Sequence, residues 1–263
     1  MKFGIIGYGK MGSSVLAGML SKGIINKNEV VVFDTYQPTC QKLKEEGFFV
    51  AKSIEELFSI SECVLFSIKP QELTNVFSQV EFDKQIKILS IMAGVKIATF
   101  KAKFSKAKVC RVMPNTCAMI GMSASSVCFD SDCTIQDKEL FTQIVSSFGS
   151  VSIIDESLMD EVIPLAGSFT AYAYYYIKSF VDSAVKRGVD EQTAINLVTE
   201  SMIGSANMVK QSGKDLQTLI NDVCSKGGTT LAGLKVLEDK GLFEIVHECS
   251  VACAERSKEL GKN

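Results

Sequence analysis

Several features that mark common classes of protein are missing from this sequence. Its 263 residues include no stretch of about 18 apolar residues, which a membrane-spanning helix would need. The net charge is -2, so the chain as a whole has no basic excess that would favour nucleic acid or an anionic membrane. We therefore expect neither nucleic acid nor a membrane as a partner.

The sequence also lacks cysteines spaced as metal ligands, and it contains only one histidine. The nine cysteines are odd in number and include no CxxC pair, which argues against a zinc site or a disulfide framework. We expect free, mostly buried thiols in a reducing cytoplasm, and no metal. The one histidine, His247, lies in a helical pattern where no other group converges on it, so we assign it no catalytic role.

The first half of the chain alternates short apolar runs with amphipathic stretches. The runs are rich in Val, Ile and Phe and predict strands at Lys2–Gly7, Val30–Phe33, Cys63–Ser67, Lys87–Ile91, Val109–Met113, Ser123–Phe129 and Val151–Ile154. Helical patterns lie at Lys10–Ser21, Thr39–Glu46, Ile54–Ile60, Lys96–Phe104 and around Ile135–Ser147. Because strands and helices alternate, we expect a parallel sheet with helices on both faces. The first twenty residues are thus interpreted as strand, turn and helix rather than as a signal peptide.

Strand patterns nearly vanish after Asp155. Long helical patterns run through Leu158–Lys186, Glu191–Lys210 and Leu242–Leu260. We therefore predict two domains, residues 1–155 and residues 156–263. The helical domain is rich in apolar and small residues, so we expect it to pair with a second copy in a homodimer or higher homo-oligomer.

A glycine-rich turn follows the first predicted strand. The residues Gly7, Tyr8, Gly9, Lys10, Met11 and Gly12 fit the pattern GxGxxG, and a helix follows them. In this context the glycines allow a tight turn and a close approach of a pyrophosphate to the helix N-terminus. The pattern predicts a dinucleotide cofactor, NAD(P)H, and an α/β fold with an N-terminal Rossmann-like doubly wound sheet and a C-terminal all-helical dimerisation domain.

Asp34 ends the second predicted strand, where a carboxylate can accept hydrogen bonds from the ribose hydroxyls of NAD. It would also repel the extra phosphate of NADP. An aspartate is equally common in a turn of this kind without any ligand. The choice between NADH and NADPH therefore stays open, with Asp34 favouring NADH.

Several separate segments resemble the pyrroline-5-carboxylate reductase family. They are the opening turn with Met11, the loop Ser67-Ile68-Lys69-Pro70-Gln71, the segment Met113-Pro114-Asn115-Thr116, the segment Gly227-Gly228-Thr229-Thr230, and the final helix from Ala254 to Leu260. The resemblance covers nearly the whole chain. It implies hydride transfer from the nicotinamide to the C=N carbon of 1-pyrroline-5-carboxylate, a cyclic imine, giving L-proline in proline biosynthesis.

The resemblance also implies roles for particular residues. Thr230 would hydrogen-bond the ring nitrogen and act as the catalytic residue, while the loop before it would hold the substrate carboxylate through Ser225, Gly227, Gly228 and Thr229. Lys69, Pro70, Ala93 and Asn115 follow predicted strand ends, where ligands collect in such sheets, and join Asp34 and the glycine-rich turn as expected cofactor contacts. For Thr229 and Thr230 the alternative is a plain helix N-cap, and for Lys69 it is a solvated loop lysine.

Three positions depart from the family pattern. The family has proline where this chain has Cys117 and Lys226, and it has Gly-Ser-Gly-Pro-Ala where Gly167 and Ser168 are followed by Phe169. Two other functions therefore stay open. One is reduction of another cyclic imine or a hydroxy acid, although the lysine expected of a hydroxyacid dehydrogenase comes only at Lys178. The other is a sensor that binds the dinucleotide without catalysis.

Overall fold

The computed structural model describes residues 1–261 and contains one mixed sheet of eight strands. These are β1 Phe3–Ile6, β2 Val30–Phe33, β3 Phe49–Val50, β4 Cys63–Phe66, β5 Lys87–Ser90, β6 Lys108–Met113, β7 Ser123–Phe129 and β8 Gly149–Ile153. The helices between them are α1 Lys10–Ser21, α2 Gln37–Glu45, α3 Ile54–Ile60, α4 Leu73–Ser78, α5 Ile97–Lys103 and α6 Ile135–Ser146.

The strands lie in the order β3-β2-β1-β4-β5-β6-β7-β8. The first six are parallel, as predicted, with Ile6 of β1 opposite both Phe33 and Phe66. The prediction is wrong for the last two, because β7 runs antiparallel to β6 and β8 runs parallel to β7. Residues 114–122 link β6 to β7, and a parallel crossover needs about a dozen residues or more.

Side chains from both faces of the sheet are buried. On β4, Val64 and Phe66 belong to one apolar cluster, while Cys63 and Leu65 belong to another. Successive residues of a strand point to opposite faces, so the two clusters lie on the two sides of the sheet. Helices cover both sides, and the predicted doubly wound fold is confirmed.

The second half of the chain is helical. It comprises α7 Phe169–Lys186, α8 Glu191–Gln211, α9 Leu216–Val223, α10 Thr229–Asp239 and α11 Leu242–Leu260. The predicted continuous helix from Leu158 is wrong, because a 3-10 turn at Glu156–Leu158 and a series of turns occupy residues 156–168 before α7 begins. Pro164 and Gly167 lie in that stretch and disfavour a regular helix.

The chain divides into two compact units. The first is Met1–Thr170 together with the chain from Val251 onward, and the second is Ala171–Ser250. The predicted domain boundary after residue 155 stays a prediction. Within the described chain, no helix is both long enough and apolar enough to cross a membrane.

Candidate active site

The glycine-rich turn follows β1 at the edge of the sheet. Gly7 has a φ of +87°, and its N–H donates a 2.9 Å hydrogen bond to the carbonyl oxygen of Phe33. A Cβ atom on Gly7 would lie 2.5 Å from the carbonyl oxygen of Ser67, and one on Gly12 would lie 2.4 Å from the carbonyl oxygen of Gly7. Packing therefore requires glycine at both positions.

Gly9 differs from its two neighbouring glycines. Apart from Gly9 itself and its two chain neighbours, no atom of the described residues lies within 4 Å of the place that its Cβ would take. Gly9 is also the N-cap of α1, and no described side chain caps this end of the helix. The first N–H groups of α1 therefore face open space with the positive end of the helix dipole. A dinucleotide pyrophosphate fits this arrangement.

Asp34 lies beside the glycine-rich turn and is bonded to it. Its Oδ2 accepts a 2.6 Å hydrogen bond from the N–H of Tyr8, and its Oδ1 accepts a 2.8 Å bond from the N–H of Tyr36. The second bond is an Asx turn, the local geometry that favours aspartate after a strand. Asp34 thus holds the turn in place, and its role toward the ribose stays a prediction.

A cavity of about 590 Å³ opens beside the glycine-rich turn, between α1 and α2. Tyr8, Gly9 and Lys10 line one side of it, and Thr39 and Lys42 line the other. Burial, and to a lesser extent the Glu46 carboxylate, raises the pKa of the Tyr8 phenol, so this group stays neutral. Glu46 also lines the cavity and pairs with Lys42 at 3.8 Å, so Lys10 is the lysine that favours an anionic ligand here.

The remaining predicted cofactor residues follow strands that are successive neighbours of β1. Lys69 and Pro70 come after β4, Ala93 comes after β5, and Asn115 comes after β6. These strands are parallel, so the four residues lie at the same edge of the sheet as the glycine-rich turn. Lys69 is exposed and precedes the 3-10 turn Pro70–Glu72, in which proline takes the first position.

The Asn115 side chain is 7% exposed and makes hydrogen bonds on both of its polar atoms. Its Nδ2 donates to the carbonyl oxygen of Ala166 at 3.2 Å, and its Oδ1 accepts from the N–H of Cys117 at 3.1 Å. The Asn115 N–H donates to Oγ of Ser123 at 3.0 Å. Cys117 therefore uses the N–H that a family proline would lack. Sequence reasoning missed Ser123, because no motif marks it.

The predicted substrate residues belong to the second compact unit. Gly228 is the N-cap of α10, its N–H donates to the carbonyl oxygen of Ser225 at 2.9 Å, and no described side chain caps the helix. Thr229 and Thr230 are exposed and begin α10, so the alternative that either threonine is the N-cap is wrong. Gly227 has a φ of +74° in the preceding turn. The open N-terminus of α10 suits a carboxylate.

Two further expectations concern Lys178 and a metal site. Lys178 is exposed on α7 and forms an ion pair with Asp182, one helical turn later. This pair gives Lys178 a structural partner on its own helix. Across residues 1–261, no three His, Cys, Asp or Glu side chains are grouped so that they could hold a metal ion.

Comparisons with known proteins agree with this geometry. Residues 156–260 match the family model described as pyrroline-5-carboxylate reductase dimerisation, and residues 2–94 match the model described as NADP oxidoreductase coenzyme F420-dependent. A pyrroline-5-carboxylate reductase of Methanosarcina acetivorans is 33% identical and aligns with 99% of this chain and 98% of its own length. The chain belongs to the pyrroline-5-carboxylate reductase family. The resemblance seen in the sequence is thereby confirmed.

Solved structures of pyrroline-5-carboxylate reductases share this fold over nearly the whole chain. The enzyme of Streptococcus pyogenes gives a TM-score of 0.91 at 28% identity and covers 98% of both chains. The Plasmodium falciparum enzyme with NADP bound gives 0.88 at 29% identity, covering 99% of this chain and 98% of its own. The predicted class, a nicotinamide-dependent oxidoreductase, is confirmed, and the dimerisation match supports the predicted homo-oligomer.

Proposed function

We propose that this chain reduces 1-pyrroline-5-carboxylate to L-proline with NAD(P)H. The observation that carries the proposal is the joint presence of two open helix N-termini within a full-length family match. One follows the glycine-rich turn and suits phosphates, and the other follows Gly227–Gly228 and suits a carboxylate. The proposed reaction needs both kinds of site, one for the pyrophosphate of the cofactor and one for the carboxylate of the cyclic imine.

The cofactor would be held at the edge of the sheet by residues of the first compact unit. These are Gly7, Tyr8, Gly9, Lys10, Met11, Gly12, Asp34, Lys69, Pro70, Ala93 and Asn115. The reduced nicotinamide, when bound, supplies the hydride for the C=N carbon. The backbone N–H groups at the start of α1 would bind the pyrophosphate, and Lys10 would add positive charge to that end of the site.

The substrate would be held at the start of α10. Ser225, Gly227, Gly228 and Thr229 would surround its carboxylate, with backbone N–H groups as donors. The Thr230 hydroxyl would hydrogen-bond the ring nitrogen and orient the C=N carbon. A protonated imine is already electrophilic, so the residues mainly position it. The chemistry therefore needs no histidine, in keeping with a chain whose one histidine stacks on Phe243.

We also propose that residues 1–155 and 156–263 are the functional domains, with the second forming a homodimer or higher homo-oligomer. The dimerisation match at residues 156–260 supports this division. Large apolar side chains on the helices are exposed in the single chain, among them Tyr174, Tyr175, Leu216, Val223 and Phe243. A second copy would cover such side chains. Nine free cysteines support a reducing compartment, the cytoplasm.

Steady-state kinetics with 1-pyrroline-5-carboxylate and both cofactors test the proposal. We expect oxidation of NADH or NADPH that depends on the imine, with proline as the product. Turnover of a hydroxy acid without turnover of the imine would contradict the proposed substrate. Tight cofactor binding without turnover of any imine would instead indicate a sensor.

A further inference from the structure

The turn Ala93–Gly94, which follows β5, packs backbone against backbone on the end of α11. Gly94 is buried with a φ of +75°. A Cβ on Gly94 would lie 2.6 Å from the carbonyl oxygen of Ser257 and 2.7 Å from the backbone nitrogen of Gly261. A Cβ on Gly261 would lie 2.1 Å from the carbonyl oxygen of Gly94. Neither segment has room to move toward the other, so a shift of the helix end toward the turn would displace the turn.

A buried ionic contact holds the end of α11 in this position. Ser257 is 3% exposed, and its Oγ donates a 2.8 Å hydrogen bond to Oδ1 of Asp160. The same oxygen accepts a 3.0 Å bond from Nη2 of Arg111, a β6 residue that is 1% exposed. Hydrogen bonds to charged groups are stronger than neutral ones in a low-dielectric interior. Asp160 thus joins α11 to β6 of the sheet.

We propose that Ser257 is a positioning residue for the cofactor: its bond to Asp160 fixes the end of α11, and this end fixes the Ala93–Gly94 turn at the cofactor edge of the sheet. The inference rests on the proposed function, because Ala93 is a proposed cofactor contact. The proposed contact between the turn and the cofactor would be the same before and during hydride transfer. A displaced turn therefore weakens cofactor binding and leaves the rate at saturation nearly unchanged.

The test uses Ser257→Ala and Gly261→Ala in the full chain. The first removes the hydroxyl that Asp160 accepts, and the second adds a methyl group against the carbonyl oxygen of Gly94. Ser250→Ala is the matched control, since its Oγ bonds only one turn back, to the carbonyl oxygen of Val246 on the same helix, at 2.8 Å. Fluorescence titration with NADH and with NADPH gives Kd without any turnover. Kinetics at saturating cofactor then give kcat.

We expect both variants to raise the Kd for the tighter-binding cofactor by about fivefold, roughly 1 kcal/mol of binding free energy, because each displaces the turn that contacts the cofactor. The kcat value should stay within about twofold, and Ser250→Ala should match the parent in both. An unchanged Kd with a lowered Tm would assign Ser257 a structural role alone and overturn the inference. If Ser257→Ala does not fold, the Kd of Gly261→Ala tests the inference instead, because Gly261 lies after the last residue of α11 and takes no part in the buried contact with Asp160. If the parent protein binds the cofactor but does not reduce the imine, the proposed function is wrong, whereas the Kd comparison still tests the role of Ser257.

Discussion

The N–H of Tyr8 donates a 2.6 Å hydrogen bond to Oδ2 of Asp34, joining the glycine-rich turn to the end of β2. The other oxygen of Asp34 accepts a 2.8 Å bond from Tyr36. Both oxygens therefore hold backbone in place, and the negative charge lies beside the place that a ribose takes in such folds. One carboxylate thus has a structural role in this chain and a proposed role in choosing between NADH and NADPH.

Replacing Asp34 with Asn should shift the preference toward NADPH. The amide removes the charge that would repel a 2′-phosphate, and it keeps one of the two acceptor oxygens. We expect the ratio of kcat/KM for NADPH to that for NADH to rise about tenfold, equivalent to roughly 1.4 kcal/mol. Asp83→Asn, which removes an exposed carboxylate paired with Lys106, should leave the ratio unchanged. An unchanged ratio in Asp34→Asn would show that this carboxylate does not discriminate between NADH and NADPH.

Replacing Thr230 with Ala should lower the rate far more than it lowers cofactor affinity. The hydroxyl is proposed to accept a hydrogen bond from the ring N–H of the protonated imine, and loss of one well-placed hydrogen-bonding group in an active site costs on the order of 100-fold in rate. Stopped-flow or steady-state kinetics give kcat, and a fluorescence titration gives the cofactor Kd, which should not change.

Two variants at the same helix end make the result specific. Thr230→Ser keeps the hydroxyl and should retain most of the rate. Thr229→Ala, at the preceding position of α10, should cost less because its backbone N–H remains available to the carboxylate. Equal rates in Thr230→Ala and the parent would remove this residue from the mechanism.

Loss of the Asp160 carboxylate should destabilise the protein strongly. Asp160→Ala leaves the buried guanidinium of Arg111 with only the longer 3.7 Å contact to Glu156, and breaking a buried ion pair costs about 3 kcal/mol. Thermal unfolding should show a Tm lower by about 6 °C or more. The exposed pair of Lys106 and Asp83 is the control, and Asp83→Ala should cost less than about 1 kcal/mol. A decrease in the free energy of unfolding below about 1 kcal/mol in both variants would show that the buried pair does not stabilise the protein more than the exposed pair.

Local patterns in the sequence predicted the elements of the first half well. The bounds of Lys10–Ser21 and Val30–Phe33 match those in the structure, because apolar periodicity and the glycine turn specify them. The two-residue strand Phe49–Val50 escaped notice, since two residues carry no periodic signal. The antiparallel direction of β7 depends on the length of one connection and was missed as well.

Contacts between distant parts of the chain had no sequence signal. Arg111 and Asp160 are 49 positions apart, and Asp160 and Ser257 are 97 apart. Each residue type alone is common on a surface, and only the fold buries the three together. The glycine-rich turn and the Gly227–Thr230 segment could be predicted because their chemistry depends on consecutive residues. The contact between the end of α11 and the Ala93–Gly94 turn depends on tertiary packing instead, so no local pattern predicted it.

Thiol accessibility should separate the nine cysteines into two groups. Cys40, Cys63, Cys110, Cys128 and Cys133 are buried, and burial raises the pKa of the Cys63 thiol to about 12. The remaining cysteines, Cys117, Cys224, Cys249 and Cys253, are partly exposed. Titration of the native protein at pH 8 with an aromatic disulfide reagent should therefore modify no more than about four thiols, whereas denatured protein should react at all nine. Rapid native reaction at Cys63 or Cys110, located by peptide mapping, would contradict a tightly packed sheet, because these residues lie in β4 and β6, which have strands on both sides.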